Sequence, residues 1–237
     1  MTKNKKRLVI FMSFMILVAV VLWVLSALFG LPWKEKAIAD KVEKHLEKKY
    51  EKDFELKESY FSFKDGTYGG IFYPEEDPSM EFHAGEGYAE YKYVDMYPEV
   101  LWAHQLQEEI DPEVRKVFPN VKSVHVSYVS YQSLDKVKGP DIPRYDEADA
   151  ALFPNIELEE TFTNSKEQWS AMAGLIHSVQ SRTAASEVSF NFIEKETNTE
   201  AFVLCPPKST AVITNAQQAQ KHCSMRRYDL ETSSLVE

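Results

Sequence analysis

Glycine is scarce in this chain, at eight of 237 residues, and cysteine scarcer, at two. None of the glycines belongs to a Gly-x-x-x-x-Gly-Lys run, which excludes a phosphate loop of that kind. There is no Gly-x-Ser-x-Gly turn to expose a serine nucleophile, and no His-Glu-x-x-His to hold zinc. No two of the six histidines (His45, His83, His104, His125, His177 and His222) stand four residues apart, as paired ligands on one helix face do. His125 alternates with Val124 and Val126 and reads as a surface histidine. Two cysteines without further ligands nearby make half a metal site. No metal, cofactor or enzymatic activity is therefore expected. Charge is missing too: residues 8–33 carry none of either sign, and no acidic residue precedes Lys34.

That uncharged run is the strongest feature present. An apolar helix needs about 20 residues to cross roughly 30 Å of hydrocarbon, and residues 8–31 suffice. Lys3, Lys5, Lys6 and Arg7 precede the run, the arrangement of a cytoplasmic N-terminus, with Lys34 and Lys36 softening the bias. Trp23, Pro32 and Trp33 lie in or near its outer end. A cleaved signal peptide has a shorter apolar core and small residues at its cut site; here only Val24-Leu25-Ser26 faintly resembles one. The expectation is a single-pass anchor in the lipid bilayer through residues 8–31, with the remainder outside the cytoplasm.

All 37 acidic residues but only 23 of the 27 basic ones follow Trp33, leaving that part with a net charge of −14. Nucleic acid is not expected as a partner, because phosphate binding needs clustered Lys and Arg. Outside the cytoplasm Cys205 and Cys223 can form a disulfide; the alternative is two separate buried thiols.

Residues 34–50 read as an amphipathic helix, with Ile38, Val42, Leu46 and Tyr50 every four residues and a break from the apolar span at Pro32. Strands follow around Phe54 and Leu56, with a bulge expected near Ser59. Lys64-Asp65-Gly66 is a hairpin turn signal, and residues 67–73 are its return strand. Met80 and Phe82 mark a third strand; Tyr88, Tyr91 and Tyr93 close the sheet. From Asp95 a second unit begins. Its expected elements are a helix bearing Trp102, Leu106 and Ile110, a short helix restarted at Asp111-Pro112-Glu113, and a strand at Val124, Val126 and Tyr128. A charged, proline-containing loop over 135–149 follows, then a strand over 156–162. Ser165 with Gln168 resembles a capping box before a helix burying Trp169, Met172, Ile176 and Val179. Val188, Phe190 and Phe192 pair with residues 201–205; a helix over 211–223 and a frayed tail end the chain. The fold class is α+β: an N-terminal transmembrane helix, then two small antiparallel-sheet-plus-helix domains. The boundaries are 1–33 for the tip and anchor, 34–94 for the first domain and 95–237 for the second.

The run His45-Leu46-Glu47-Lys48-Lys49-Tyr50, the segment Phe63-Lys64-Asp65-Gly66-Thr67-Tyr68, Pro74-Glu75-Glu76-Asp77-Pro78 and Asp95-Met96-Tyr97 with Leu101-Trp102 together resemble the YfjL-like proteins. These are small membrane-anchored proteins of Gram-positive bacteria with an N-terminal and a C-terminal domain and no known function. The resemblance is strongest over residues 1 to 110 and faint afterwards. It rests on turn and core residues, so it implies a fold and no chemistry. In outline the first domain is also similar to PepSY-like and cystatin-like modules, some of which bind proteases.

Carboxylate clusters such as Glu75-Glu76-Asp77, Asp146-Glu147-Asp149 and Glu108-Glu109 read as solvated surface. The aromatics crowded into the first sheet carry more. Tyr60, Phe61, Phe63, Tyr68, Phe72 and Tyr73 either pack as core or present an interaction face, since exposed aromatic patches bind partners well. The expected function is a non-enzymatic protein- or peptide-binding module held at the membrane, with a protein partner outside the cytoplasm. A structural subunit of an envelope complex and a carboxylate-based hydrolase are the alternatives.

Overall fold

The computed structural model describes residues 3–88 and 90–236. The uncharged run lies in a helix, α1 (Lys3–Phe29). From Phe11 onward nearly all of its apolar side chains are exposed. α1 ends where Gly30 takes a left-handed conformation at φ +68°, and Leu31 is extended. Pro32 then opens α2 (Pro32–Tyr50) at its first position, where a missing N–H costs nothing. The break therefore falls at Gly30 and Leu31, just ahead of Pro32.

The chain divides into two compact units, Met1–Asp95 and Met96–Glu237. In the first, β1 (Phe54–Ser62), β2 (Thr67–Pro74), β3 (Phe82–Glu86) and β4 (Tyr93–Asp95) form an antiparallel sheet in that order. The first hairpin turns through Gly66, again at φ +68°. The bulge expected near Ser59 lies two residues earlier, at Lys57 between Leu56 and Glu58. The extra residue, Lys57, reverses the alternation, so Phe54 and Leu56 before it and Ser59 and Phe61 after it all face one way. With Tyr68, Gly70 and Phe72 of β2 they make the inner face. Across it lies the buried stripe of α2: Ile38, Ala39, Val42, Leu46 and Tyr50. At the far end the Tyr50 hydroxyl donates to Asp95 Oδ1 at 2.7 Å, and Lys49 Nζ lies 2.9 Å from Oδ2.

The second unit opens with α3 (Tyr97–Val117), which runs unbroken through Pro112. The expected restart at Asp111 does not occur. Proline inside a helix forfeits one hydrogen bond, but Leu106, Ile110 and Val114 stay on a single buried stripe across it, and burial outweighs that loss. The sheet follows the order β5 (Val121–Tyr128), β6 (Leu152–Leu158), β7 (Val188–Glu194), β8 (Thr199–Cys205), β9 (Ser224–Asp229). It is mixed: β6 and β7 are parallel, joined by a crossover through α4 (Lys166–Arg182), and the other pairs are antiparallel. β6 begins at Leu152 and ends at Leu158, several residues before the expected strand. Pro154 sits inside it, opposite Val126 of β5. Phe162, expected at the strand's end, instead packs from irregular chain against Phe192 and Trp169, at 5.0 and 5.7 Å between ring centroids.

Ser165 caps α4, its hydroxyl accepting from Gln168 N–H at 3.2 Å. The last helix, α5 (Ala216–His222), is shorter than expected because Asn215 caps it: its side chain accepts from Gln218 N–H while Gln218 Oε1 accepts from Thr214 N–H. The start of the frayed tail expected over the last dozen residues is instead part of β9. Its edge position suits its charged residues, and beyond it Leu235 bridges to Tyr228. Cys205 and Cys223, at the adjoining ends of β8 and α5, are joined by a disulfide.

Candidate interaction surface

Strand alternation divides the six aromatic residues that the sequence groups together. Tyr68 and Phe72 are buried on the inner face under α2, and Phe61 shares that face, half-buried. Tyr60 and Tyr73 point to the opposite, outer face, half-exposed, and Phe63 stands exposed in the hairpin turn. The six therefore form no single face, because the pleat sends neighbours to opposite sides and the bulge at Lys57 sets which ones.

The outer face is a continuous strip. Tyr60 lies across Gly69, where an added Cβ would come within 2.8 Å of its hydroxyl. Its ring meets His83 edge-on, 5.6 Å between centroids. Ile71 stands between Glu58 and His83 in register, and the Tyr73 hydroxyl donates to Glu55 Oε2 at 2.5 Å. The bound carboxylate pushes the Tyr73 hydroxyl above its ordinary pKa. Glu55, Glu58 and the exposed Lys57–Glu81 pair, at 2.6 Å, rim the strip. Its chemistry is aromatic and apolar at the centre and acidic at the margin, suited to a partner with apolar and basic side chains.

The inner aromatics hold the joint below α1. Gly30 is buried against Phe61, where an added Cβ would lie 2.7 Å from Phe61 Cγ. Leu31 N–H donates to the Tyr68 hydroxyl at 3.0 Å. Tyr68 N–H in turn donates to Glu86 Oε2 at 3.0 Å, and Lys34 sits 4.4 Å above the Tyr68 ring. The Ser59 hydroxyl donates to Glu35 at 2.8 Å. At the other end of α2, burial first and Lys49 second hold the His45 imidazole below its usual pKa, so it is poised neutral against Tyr93. The apolar stripe of α2 between these ends is buried.

In the second unit Glu109, which the sequence reads as solvated, is engaged, and so are two other carboxylates of α3. Glu109 accepts from the Tyr145 hydroxyl at 2.6 Å and from Arg144 at 2.9 Å, with Arg182 at 3.3 Å. Burial alone would raise its pKa, but Tyr145 and Arg144 hold it below the ordinary carboxylate range. Glu113 is held low in the same way by Arg182 and Ser178 of α4. Glu99, fully buried, accepts from the backbone and hydroxyl of Ser133. Trp102 Nε1 donates to the Pro143 carbonyl at 2.7 Å. Together these contacts strap the long segment between β5 and β6 onto α3. Its Pro, Arg and Tyr at 143–145 were the only sequence signal, and nothing in their spacing pairs them with α3. Among the described residues no three His, Cys, Asp or Glu side chains gather as metal ligands do.

The family model for the YfjL-like N-terminal domain matches residues 5–82, which takes in α1, α2 and the first two strands. No curated protein matches. Among solved structures, a DUF5037 family protein from Ruminococcus gnavus aligns with 10% sequence identity over 84% of this chain and 94% of that one, at a TM-score of 0.41.

Proposed function

We propose that this protein is a single-pass membrane anchor carrying a non-enzymatic binding module outside the cytoplasm, and that the outer face of its first sheet takes a protein or peptide partner. On the same reading the second unit is the C-terminal domain of a YfjL-like protein. One observation carries the anchor reading: from Phe11 to Phe29 α1 leaves nearly all of its apolar side chains uncovered by the described residues. Such a surface is unfavourable in water and favourable in hydrocarbon. A signal sequence has the same composition, but the docked joint supports a helix retained with the unit it leads into: Gly30 against Phe61 and Leu31 on Tyr68 fit the exit of α1 to the folded sheet. The outer strip of Tyr60, Ile71 and Tyr73 supplies the binding surface, because half-exposed aromatics bury large area at small entropic cost.

Photo-crosslinking in intact cells tests both halves. A photoreactive residue at position 73 or 83 is expected to capture the same protein, and Tyr60→Ala is expected to abolish capture from position 83. No adduct from either position, with a strong adduct from a control residue in α1, overturns the binding face. Survival of both units when intact cells are treated with an external protease overturns the topology.

A further inference from the structure

The β1–β2 hairpin tip lies at the end of the first sheet that meets the joint after α1. α2 runs back along β1, so that Tyr50 stacks edge-on with Phe54, Glu35 reaches Ser59, and Gly30 meets Phe61. Two residues beyond Phe61 the chain reaches Phe63, and the turn closes with Gly66 N–H on the Ser62 carbonyl at 2.8 Å. Phe63 is 64% exposed in this turn. Phe29 and Trp33, at 70% and 72%, flank the joint itself, and Tyr88, 52% exposed, follows β3 at the same end. An exposed Phe at a polar turn leaves a large apolar surface in water. Charge at this end is balanced where the rest of the chain outside α1 is acidic: Lys34, Lys36 and Lys64 stand with Glu35, Asp65 and Glu86, Lys34 lies 4.0 Å from Glu86, and Asp65 accepts from the Ser62 hydroxyl.

We propose that the β1–β2 hairpin tip is a second membrane contact, in which Phe63 enters the interfacial layer beside the exit of α1 and Lys64 meets lipid phosphates. This rests on the anchor reading, since a bilayer that holds α1 must begin beside the tip. Aromatic side chains favour the headgroup boundary, and basic ones are drawn to anionic lipid there. The rigid joint makes the two contacts cooperative, because once α1 is inserted the tip is already at the surface. Two contacts also fix the orientation of the first sheet. Tyr73, opposite Glu55, stands seven residues along β1 from the tip, so the binding strip lies within roughly 25 Å of the lipid surface.

The test uses the full chain in vesicles of phosphatidylcholine with a minority of phosphatidylglycerol, carrying an environment-sensitive fluorophore on a single introduced cysteine. Leu22→Cys reports the middle of α1, Phe63→Cys and Lys64→Cys the tip, and Ser79→Cys the opposite end of the sheet. Nitroxides placed near the headgroup are expected to quench labels at 63 and 64 several-fold more than at 79, and deep nitroxides to quench 22. Quenching at 22 with labels at 63 and 64 behaving like 79 overturns the tip contact and leaves the anchor standing. Protection of 63 from aqueous iodide without nitroxide quenching also overturns it, in favour of a protein at the tip. No quenching at 22 overturns the anchor reading and the tip contact with it.

Discussion

The Tyr50 hydroxyl, in the last turn of α2, donates to the carboxylate of Asp95, the final residue of β4, at 2.7 Å. The bond joins residues 45 positions apart and clamps the helix over the sheet edge farthest from β1. Both groups are buried, so Tyr50→Phe withdraws a donor from a carboxylate that water reaches poorly. The expected cost is about 1–3 kcal/mol, read as faster hydrogen exchange in β4 and at the C-terminal end of α2. Unchanged protection there would show that the clamp contributes nothing.

The joint below α1 gives a second expectation. At φ +68° any side chain at position 30 is strained by about 1–2 kcal/mol, and a Cβ there also strikes the Phe61 ring. Gly30→Val is expected to free the Leu31 amide, which Tyr68→Phe also does by removing its acceptor. Gly66→Ala is the control, with the same backbone angle but open space around it. Hydrogen exchange at Leu31 should rise in the first two variants and not in the third. A rise in all three would point to general loosening of the hairpin.

Acid should act on the second unit through α3. Glu109 and Glu113 have folded-state pKa values below the ordinary one. Their stabilisation is therefore complete above the unfolded value, near 4.3, and is lost as pH falls through the depressed folded value. Thermal melts should be nearly flat from neutral pH to about 5 and fall below about 4. Glu109→Gln should lower the neutral plateau and make the acid decline shallower. An identical decline in the variant would remove Glu109 from the account.

The disulfide makes a prediction about the C-terminal edge. Cys205 and Cys223 are 18 residues apart and close the loop that carries α5 into β9. A loop of that length is worth about 3 kcal/mol through the unfolded state. Alkylation with and without reductant should give intact masses that differ by two alkyl groups. Reduction should loosen β9 before the rest of its sheet; equal masses would mean the thiols are free.

Much of this architecture is legible in the sequence, and the misses have specific causes. Phe190 and Phe192 announce a strand because alternation alone specifies it, and Ser165 with Gln168 announces a helix start because the cap is local. Pro112 reads as a break, since the burial that overrides it comes from residues far away in sequence. Met225 and Arg227 alternate weakly, because an edge strand needs few apolar side chains. Alternation along β2 alone separates Tyr73 from Tyr68 and Phe72, but Tyr60 joins Tyr73 on the outer face, while Phe54 and Leu56 lie inside, only because of the bulge at Lys57; without it Tyr60 would turn inward. Glu109 looked like a wet helix position because its partners, Arg144 and Tyr145, arrive on a loop with no periodicity.

Glu194 shows most sharply what composition hides. It ends β7 on the buried face, 3% exposed, where the alternation asks for an apolar residue. Its carboxylate is surrounded by donors: Phe162 N–H and Arg227 Nη2 at 3.0 Å on one oxygen, and the Thr199 hydroxyl at 2.8 Å on the other. Arg227 reaches it from β9, two strands away, so the pair pins the edge strand to the sheet interior. Removing the cation alone, in Arg227→Met, leaves a buried charge uncompensated and should cost about 3–5 kcal/mol. Glu194→Gln keeps most of the acceptor geometry and should cost less, and with the charge gone Arg227→Met should then cost much less than in the parent. A double-mutant cycle by chemical denaturation should therefore give a coupling of about 2 kcal/mol. Coupling near zero would mean that β9 is held by its backbone ladder and the disulfide, and the cation would then be packing rather than countercharge.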